Sequence, residues 1–315
     1  MALTNIDHPR ILVIGAGVNG SAIASCLHRG GVDVTVLARG KRFDELLAEG
    51  IIIENPFNQQ RTITNVPVID RLLPEDIYDY VLVVVRKNQA FGLLPLLAQN
   101  QSRNIVFLGN NLLGPGEFIS VLGNERVMMG SVFAAGKRDG NLIRAMIIKS
   151  VPSPLGEING SLTPRLKQLR DILRQAGFKV KLSEDIAYAQ LAHGVGVVLI
   201  AELVLKHGGS VRRFAQASDD LRLFVAARRE GIQLLQALGH KNIGWSERII
   251  EVIPTFLQVL ATRMVLNSRM GHVGLEYHLS QAPDEMQQLA RELKELVDRA
   301  GLPVPAIRKV LGSRS

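Results

Sequence analysis

The chain has 315 residues, 47% hydrophobic and 21% charged, a globular composition long enough for two domains. A single cysteine, Cys26, excludes an internal disulfide framework; the start MALTNIDHPR has no apolar signal region, and the longest apolar run, 195–205, is too short to span a bilayer. The formal charge of +8 comes with no basic tail and only 5% aromatic residues, which argues against nucleic acid and for solvated cations around a pocket for anionic ligands. The expectation is a cytoplasmic protein with no nucleic-acid or membrane partner.

Up to about residue 182, short β-branched runs alternate with helical patterns. RILVIGAG (10–17), DVTVLA (33–38), YVLVVVR (80–86) and NIVFLGN (104–110) read as buried parallel strands, separated by amphipathic stretches such as VNGSAIASCLHRGG and NQAFGLLPLLAQN. This βαβ alternation predicts an α/β, Rossmann-type, doubly wound parallel sheet over residues 1–182. RVMMGSVFAAG and NLIRAMIIKS, with RDGN as turn chemistry between them, predict a hairpin-like, antiparallel addition at the sheet edge. SLTPRLKQLRDILRQAGF predicts a helix with Ser161 as N-cap, Pro164 in its first turn and Gly177 as its stop. From 183 to 315 the patterns are helical, clearest in 221–239 and 284–301, each closed by glycine, which predicts an all-α C-terminal domain.

The first strand runs into Gly15-Ala16-Gly17-Val18-Asn19-Gly20, a G-x-G-x-x-G match that opens a predicted helix inside a βαβ unit. In that context Gly15 permits the tight turn, Gly17 lets backbone amides approach a pyrophosphate, and Gly20 allows close helix–sheet packing. The helix N-terminus, with Val18 and Asn19 in its first turn, then offers unpaired amides and a positive dipole end. About twenty residues after the first glycine, NAD sites commonly place an Asp or Glu on the ribose hydroxyls. This chain has Leu37-Ala38-Arg39-Gly40-Lys41-Arg42 there, with no carboxylate before Asp44. Cations without a carboxylate favour an additional phosphate and hence NADP. Arg39 is the expected phosphate ligand, while Lys41 and Arg42 read as solvated loop charges.

With these motifs in order, the chain resembles the ketopantoate reductase (2-dehydropantoate 2-reductase) family over nearly its whole length. YVLVVVRKNQ resembles the family's strand followed by Lys-x-x-Gln, with Arg86 at the lysine and Gln89 at the glutamine. NIVFLGNNLLGPGE resembles its Asn-Gly-x-Gly-x-x-x-Glu segment, with Asn110 and Glu117 in place and Asn111 and Leu113 replacing the glycines. GSVFAAGKRDGNLI (130–143) and LRQAGFKVKLSEDI (173–186) resemble its strand pair and the approach to its helical domain. The resemblance implies NADPH between a Rossmann domain and a helical domain, with Arg86 and Asn110 at the coenzyme. It also implies hydride transfer to a small anionic 2-keto acid, with a lysine as general acid, an assisting glutamate and asparagines lining the pocket. Hydride arriving at a carbonyl carbon leaves charge on oxygen, so a donor is needed within hydrogen-bond reach.

The family's helix reads roughly aromatic-x-Lys-Leu-x-x-Asn, where this chain has Tyr188-Ala189-Gln190-Leu191-Ala192-His193-Gly194. Gln190 stands at the lysine, Gly194 at the first asparagine and Val198 at the second. Glutamine can hydrogen-bond a carbonyl oxygen but supplies no proton at neutral pH. His193, almost one turn further along, is the candidate substitute, with a core or cleft histidine as the plainer reading. Lys206 and His207 lie too far along the helix, about 24 Å from Gln190 in the case of Lys206. Counting back from Gly301-Leu302-Pro303-Val304-Pro305 brings Glu285 onto the family's glutamate, at a helix start where a carboxylate is also a routine dipole partner. Residues 267–281 resemble an insertion whose Arg269, His272, Glu276 and His278 could line a remodelled pocket; no metal is expected. Three functions stay open: a reductase of a small carbonyl compound, a nucleotide-binding sensor without hydride chemistry, and a dehydrogenase of an amino or imino substrate. Monomer and homodimer are both open.

Overall fold

The computed structural model describes residues 9–131, 134–148, 152–240, 244–276 and 283–313. The chain folds into two compact units, one comprising 1–109 with 115–186 and the other 110–114 with 187–315. The first unit is built on strands β1 (Arg10–Ile14), β2 (Asp33–Leu37), β3 (Ile51–Glu54), β4 (Arg61–Thr64), β5 (Val68–Ile69), β6 (Tyr80–Val83), β7 (Ile105–Leu108), β8 (Val127–Gly130), β9 (Ala134–Asp139), β10 (Leu142–Ile147), β11 (Ser153–Glu157) and β12 (Val180–Leu182).

Eight of these form one sheet in the order β12-β11-β8-β7-β6-β1-β2-β5. All pairs are parallel except β11 with β8. The chain leaves β1 toward β2 on one side and returns to β6 on the other, so β1 is the point where strand order reverses. In open α/β sheets that reversal opens the crevice where ligands bind, beyond the carboxyl ends of the strands. Ile11, Val13, Val36, Leu82 and Val106 supply the sheet's share of the core, and Ile23 and Leu27 of the helix Val18–Arg29 pack with them.

The RDGN hairpin forms as β9–β10, antiparallel, with Asp139 paired to Leu142. It does not extend the main sheet. It joins β3 and β4 in a separate four-stranded sheet, β4-β3-β10-β9, while the RVMMG portion becomes β8 inside the main sheet. Gly130, at the end of β8, leaves room for β11 beside it: a Cβ there would fall 2.8 Å from the Pro154 carbonyl oxygen. The small sheet is tied to the helix Val18–Arg29 by a hydroxyl pair, Ser25 Oγ and Thr64 Oγ1 at 2.7 Å, and by Asn19, whose Oδ1 accepts from the Ala134 amide at 3.2 Å. The helix Pro164–Gln175 is capped by Thr163, whose hydroxyl accepts from the Leu166 amide, and not by Ser161; the cap stands immediately before Pro164 at N1.

The second unit is helical in its described residues, as expected from its sequence. Its longest element, Ile186–Lys206, is long and apolar enough by length and composition to cross a bilayer, so the shorter run at 195–205 understated it. Its apolarity is used in packing: Leu191, Val195, Val198, Leu199, Leu203 and Val204 all lie in the unit's core, with Phe214, Leu221, Leu289 and Leu293 from neighbouring helices. A helix apolar nearly all round is a core helix when other helices surround it.

At the end of that helix, Lys206 Nζ and His207 Nε2 meet the two oxygens of Asp220 at 2.7 and 2.8 Å. Burial pushes the Asp220 carboxyl up, but the hydrogen bonds and charges of Lys206 and His207 outweigh it and hold the carboxyl below its usual range. A carboxyl with a depressed folded pKa contributes stability that is complete above its unfolded value, about 4, and is lost as pH falls through the folded value. Asp220→Asn should therefore lower stability by about 1–2 kcal/mol at pH 7. In urea titrations the gap between variant and parent should close as pH drops below about 4.

Candidate functional site

The turn after β1 holds a strict geometry. Gly15 has φ +108°, and a Cβ on it would fall 2.4 Å from the Val84 carbonyl oxygen at the end of β6. A Cβ on Gly20 would fall 1.7 Å from the Gly15 carbonyl oxygen, so the helix Val18–Arg29 starts against the turn with no room for a side chain. Gly17, the helix N-cap, differs: a Cβ there would meet nothing within 4 Å. The first helical turn contains no acidic residue. Two glycines thus serve close packing, and the middle one leaves the positive helix end facing open space, which fits an anionic group such as a dinucleotide pyrophosphate. Val18 and Asn19 stand in this first turn, with the Asn19 side chain committed to the Ala134 amide.

Three cations follow β2, and they have different fates. Arg39 is exposed in the turn between β2 and the helix Lys41–Glu49. Lys41 is solvated, with Glu45 at 3.9 Å. Arg42, read from sequence as a solvated charge, is only 9% exposed. Its Nε donates to the Ala16 carbonyl at 3.0 Å, Nη2 to Ser21 Oγ at 3.2 Å, and Nη1 to Glu45 Oε2 at 3.2 Å and to Asn141 Oδ1. The Ala16 carbonyl also accepts from Ser21 Oγ at 3.1 Å. Burial lowers the Arg42 pKa and Glu45 opposes the shift, so the group stays a cation braced under the glycine turn. The available signal was its spacing: Arg42 and Leu46 are one turn apart and are the two buried residues of their helix.

Arg86 is the N-cap of the helix Lys87–Phe91, and its amide donates to Gln89 Oε1 at 3.3 Å. The Arg-x-x-Gln pair therefore closes a helix start at the end of β6.

In the second unit the segment 110–114 gathers three features. Asn110 Nδ2 donates to Glu285 Oε1 at 2.9 Å, bringing together two candidates 175 positions apart in sequence. Glu285 lies in the first turn of the helix Pro283–Ala300. Leu112 is buried against Gly194, where a Cβ would fall 2.6 Å from Leu112 Cδ1. Asn111 is buried and donates to the Gly114 carbonyl at 2.7 Å. The absent side chain at 194 and the leucine at 112 are thus complementary. A glycine inside a 21-residue helix, costing about 1 kcal/mol against alanine, was the sequence signal for such a contact.

Gln190 is 2% exposed and His193 half-buried on the same helix. Val198 is a core residue. The segment 267–281 contributes structure in its described part: Glu276 Oε1 accepts from the Val211 amide at 2.9 Å and pairs with His272 Nδ1 at 3.5 Å, so it caps the helix Val211–Gln216. Arg269 is exposed, and His278 lies outside the described residues.

Two substitutions test these contacts. Arg42→Met keeps the volume but removes the donors to Ala16 and Ser21; it should cost about 2–3 kcal/mol by urea denaturation, and Arg42→Lys should recover little because one ammonium cannot reproduce the fork. Gly194→Ala should cost about 1–3 kcal/mol by overpacking in the parent and much less in a Leu112→Ala background, a coupling that a double-mutant cycle measures.

Comparison with known proteins places this geometry. Residues 11–146 match the family described as ketopantoate reductase PanE/ApbA. A 2-dehydropantoate 2-reductase of Archaeoglobus fulgidus is 23% identical over 252 residues, covering 76% of this chain and 78% of the relative. The crystal structure of 2-dehydropantoate 2-reductase from Geobacter metallireducens is similar with a TM-score of 0.78 at 20% identity, over 96% of this chain and 98% of that one. The ternary structure of D-mandelate dehydrogenase with NADH and anilino(oxo)acetate gives a TM-score of 0.78 at 13% identity, over 96% of both chains. The glycine turn and the Arg-x-x-Gln helix start lie within the residues that match the ketopantoate reductase family, and the chain shares its fold with the solved structures named above.

Proposed function

We propose that this protein is an NADPH-dependent reductase of a small 2-keto acid or a similar anionic carbonyl compound. The observation that carries the reading is the glycine turn, where Gly17 opens the helix N-terminus while Gly15 and Gly20 are packed shut. Arg39 supports the phosphorylated coenzyme: it is exposed at the end of β2, where no carboxylate stands. The similar D-mandelate dehydrogenase was solved with NADH, so coenzyme choice in this fold rests on local residues such as this one.

The first unit holds the coenzyme in this reading, through the amides around Gly17, Val18 and Asn19, the Arg39 guanidinium, and Arg86 at the end of β6. A bound reduced nicotinamide supplies the hydride. The second unit supplies polar groups for the substrate. Asn110 orients Glu285 through their 2.9 Å hydrogen bond. Gln190 can donate an amide hydrogen to a carbonyl oxygen but holds no proton to transfer. His193, three residues on and a neighbour on the helix surface, is the titratable group placed to provide it.

Gln190 also favours a second reading, a protein that binds the coenzyme without hydride transfer to a keto acid. An amine or imine substrate would bring its own proton and satisfy the same observation.

Mixing NADPH with a panel of 2-keto acids should deplete the reduced-nicotinamide absorbance with at least one of them. Tight NADPH binding with no turnover across the panel would replace the reductase by the second reading. By calorimetry Arg39→Asp should weaken NADPH at least about tenfold, or 1.4 kcal/mol, and NADH far less. Equal weakening of both would remove the phosphate assignment.

A further inference from the structure

The helix Val18–Arg29 and the small sheet leave a cavity between them of about 430 Å³, within the size range of small-molecule sites. Ala22, Ser25, Cys26 and Arg29 line it from the helix, and their spacing of three and four residues puts them on one face. Ile53 of β3 and Met146 and Ile147 of β10 supply wall from the sheet. The turn between β3 and β4 adds Phe57 and Gln60. That turn is held in one shape: Asn55 Oδ1 accepts from the Phe57 amide at 2.9 Å, and Asn58 Oδ1 from the Gln60 amide at 3.0 Å. Cys26 lies about 14 Å along the helix from the N-cap Gly17, so the cavity is separate from the glycine turn.

We propose that this cavity is a second ligand site, for a small aromatic monocarboxylate. Arg29 is exposed, and no Asp or Glu stands among the lining residues to neutralise it. A guanidinium grips a carboxylate through two parallel hydrogen bonds. Its full charge also exceeds the roughly half charge of opposite sign at a helix C-terminus. One cation set in a largely apolar wall selects a single negative charge; a phosphate ester, with close to two, calls for more. The Phe57 ring and the Met146 thioether favour an aromatic body over an aliphatic one. A dry packing defect is lined by apolar groups, whereas Ser25, Gln60 and Thr62 stand in this wall. Such a cavity holds water that a ligand displaces.

Cys26 is the chain's single cysteine and is half-buried in this wall, so thiol alkylation reports on the cavity directly. Saturating naphthalene carboxylate should slow iodoacetamide labelling of the full chain by about tenfold or more. The neutral naphthalene carboxamide should need a concentration at least about tenfold higher for the same protection. Arg29→Gln, at an exposed position, should erase the difference between acid and amide, and Phe57→Ala should weaken both. Titration calorimetry with the same two compounds reads binding whatever the reactivity of the thiol. Neither measurement needs coenzyme or turnover, so its failure is distinct from failure of the reductase reading. Absence of both heat and protection at about 10 mM acid overturns the proposal. Equal affinity for acid and amide overturns it too, as does binding of the acid that Arg29→Gln leaves unchanged.

Discussion

The carbonyl of Ala16 is the point on which the first unit depends. It sits inside the glycine turn and accepts from both Ser21 Oγ and Arg42 Nε. Through Arg42 the turn is joined to Glu45 in the helix after β2 and to Asn141 at the tip of the β9–β10 hairpin. The main sheet, two of its helices and the small sheet are thereby fixed to one another around a loop whose own residues have almost no side chains. A glycine-rich loop has the most backbone entropy to lose on ordering. A buried guanidinium with four acceptors is a means of holding it in one conformation before any ligand arrives, so that less ordering remains when binding occurs.

The second unit differs from the pattern of the family that the sequence resembles at several positions. Where the resemblance places lysine and two asparagines, this helix has Gln190, Gly194 and Val198, and two of the three are packed against apolar neighbours. Gly194 receives Leu112, and Val198 belongs to the core. Leu112, which fills the space beside Gly194, lies between Asn111 and Leu113, the two positions where the resemblance has glycines. The exchange of lysine for glutamine also fits the burial of Gln190: a neutral amide can be enclosed by its surroundings at far lower cost than an ammonium ion.

Much of this fold is legible in sequence because the period of the hydrophobic pattern changes where the architecture does. The four long strands, the glycine turn and the glycine-closed helices all carry local signals that need no tertiary knowledge. Two of the three departures from expectation in the first unit share a cause. The RDGN turn specifies a hairpin but says nothing about which sheet receives it; that is decided by β3 and β4, some 80 residues earlier. Arg42 looks like its neighbour Lys41 until helix phase is considered, because burial of a cation depends on acceptors supplied by residues 16, 21 and 141. Likewise Asn110 and Glu285 are each readable alone, but their hydrogen bond spans 175 positions and no spacing rule reaches it.

Proton supply is where these strands of evidence converge. Glu285 accepts a hydrogen bond from Asn110 Nδ2 at 2.9 Å, which fixes the orientation of its side chain. Gln190 has no transferable proton. On this helix face the remaining candidate is His193, which can be charged or neutral near pH 7 according to what surrounds it. Under the proposed keto-acid reduction the proton therefore falls to His193. An imine reductase needs no such donor, since the protonated substrate brings its own proton. Under the proposed function, the choice between oxygen and nitrogen at the reacting carbon thus reduces to whether the transferred proton comes from the protein or arrives with the substrate.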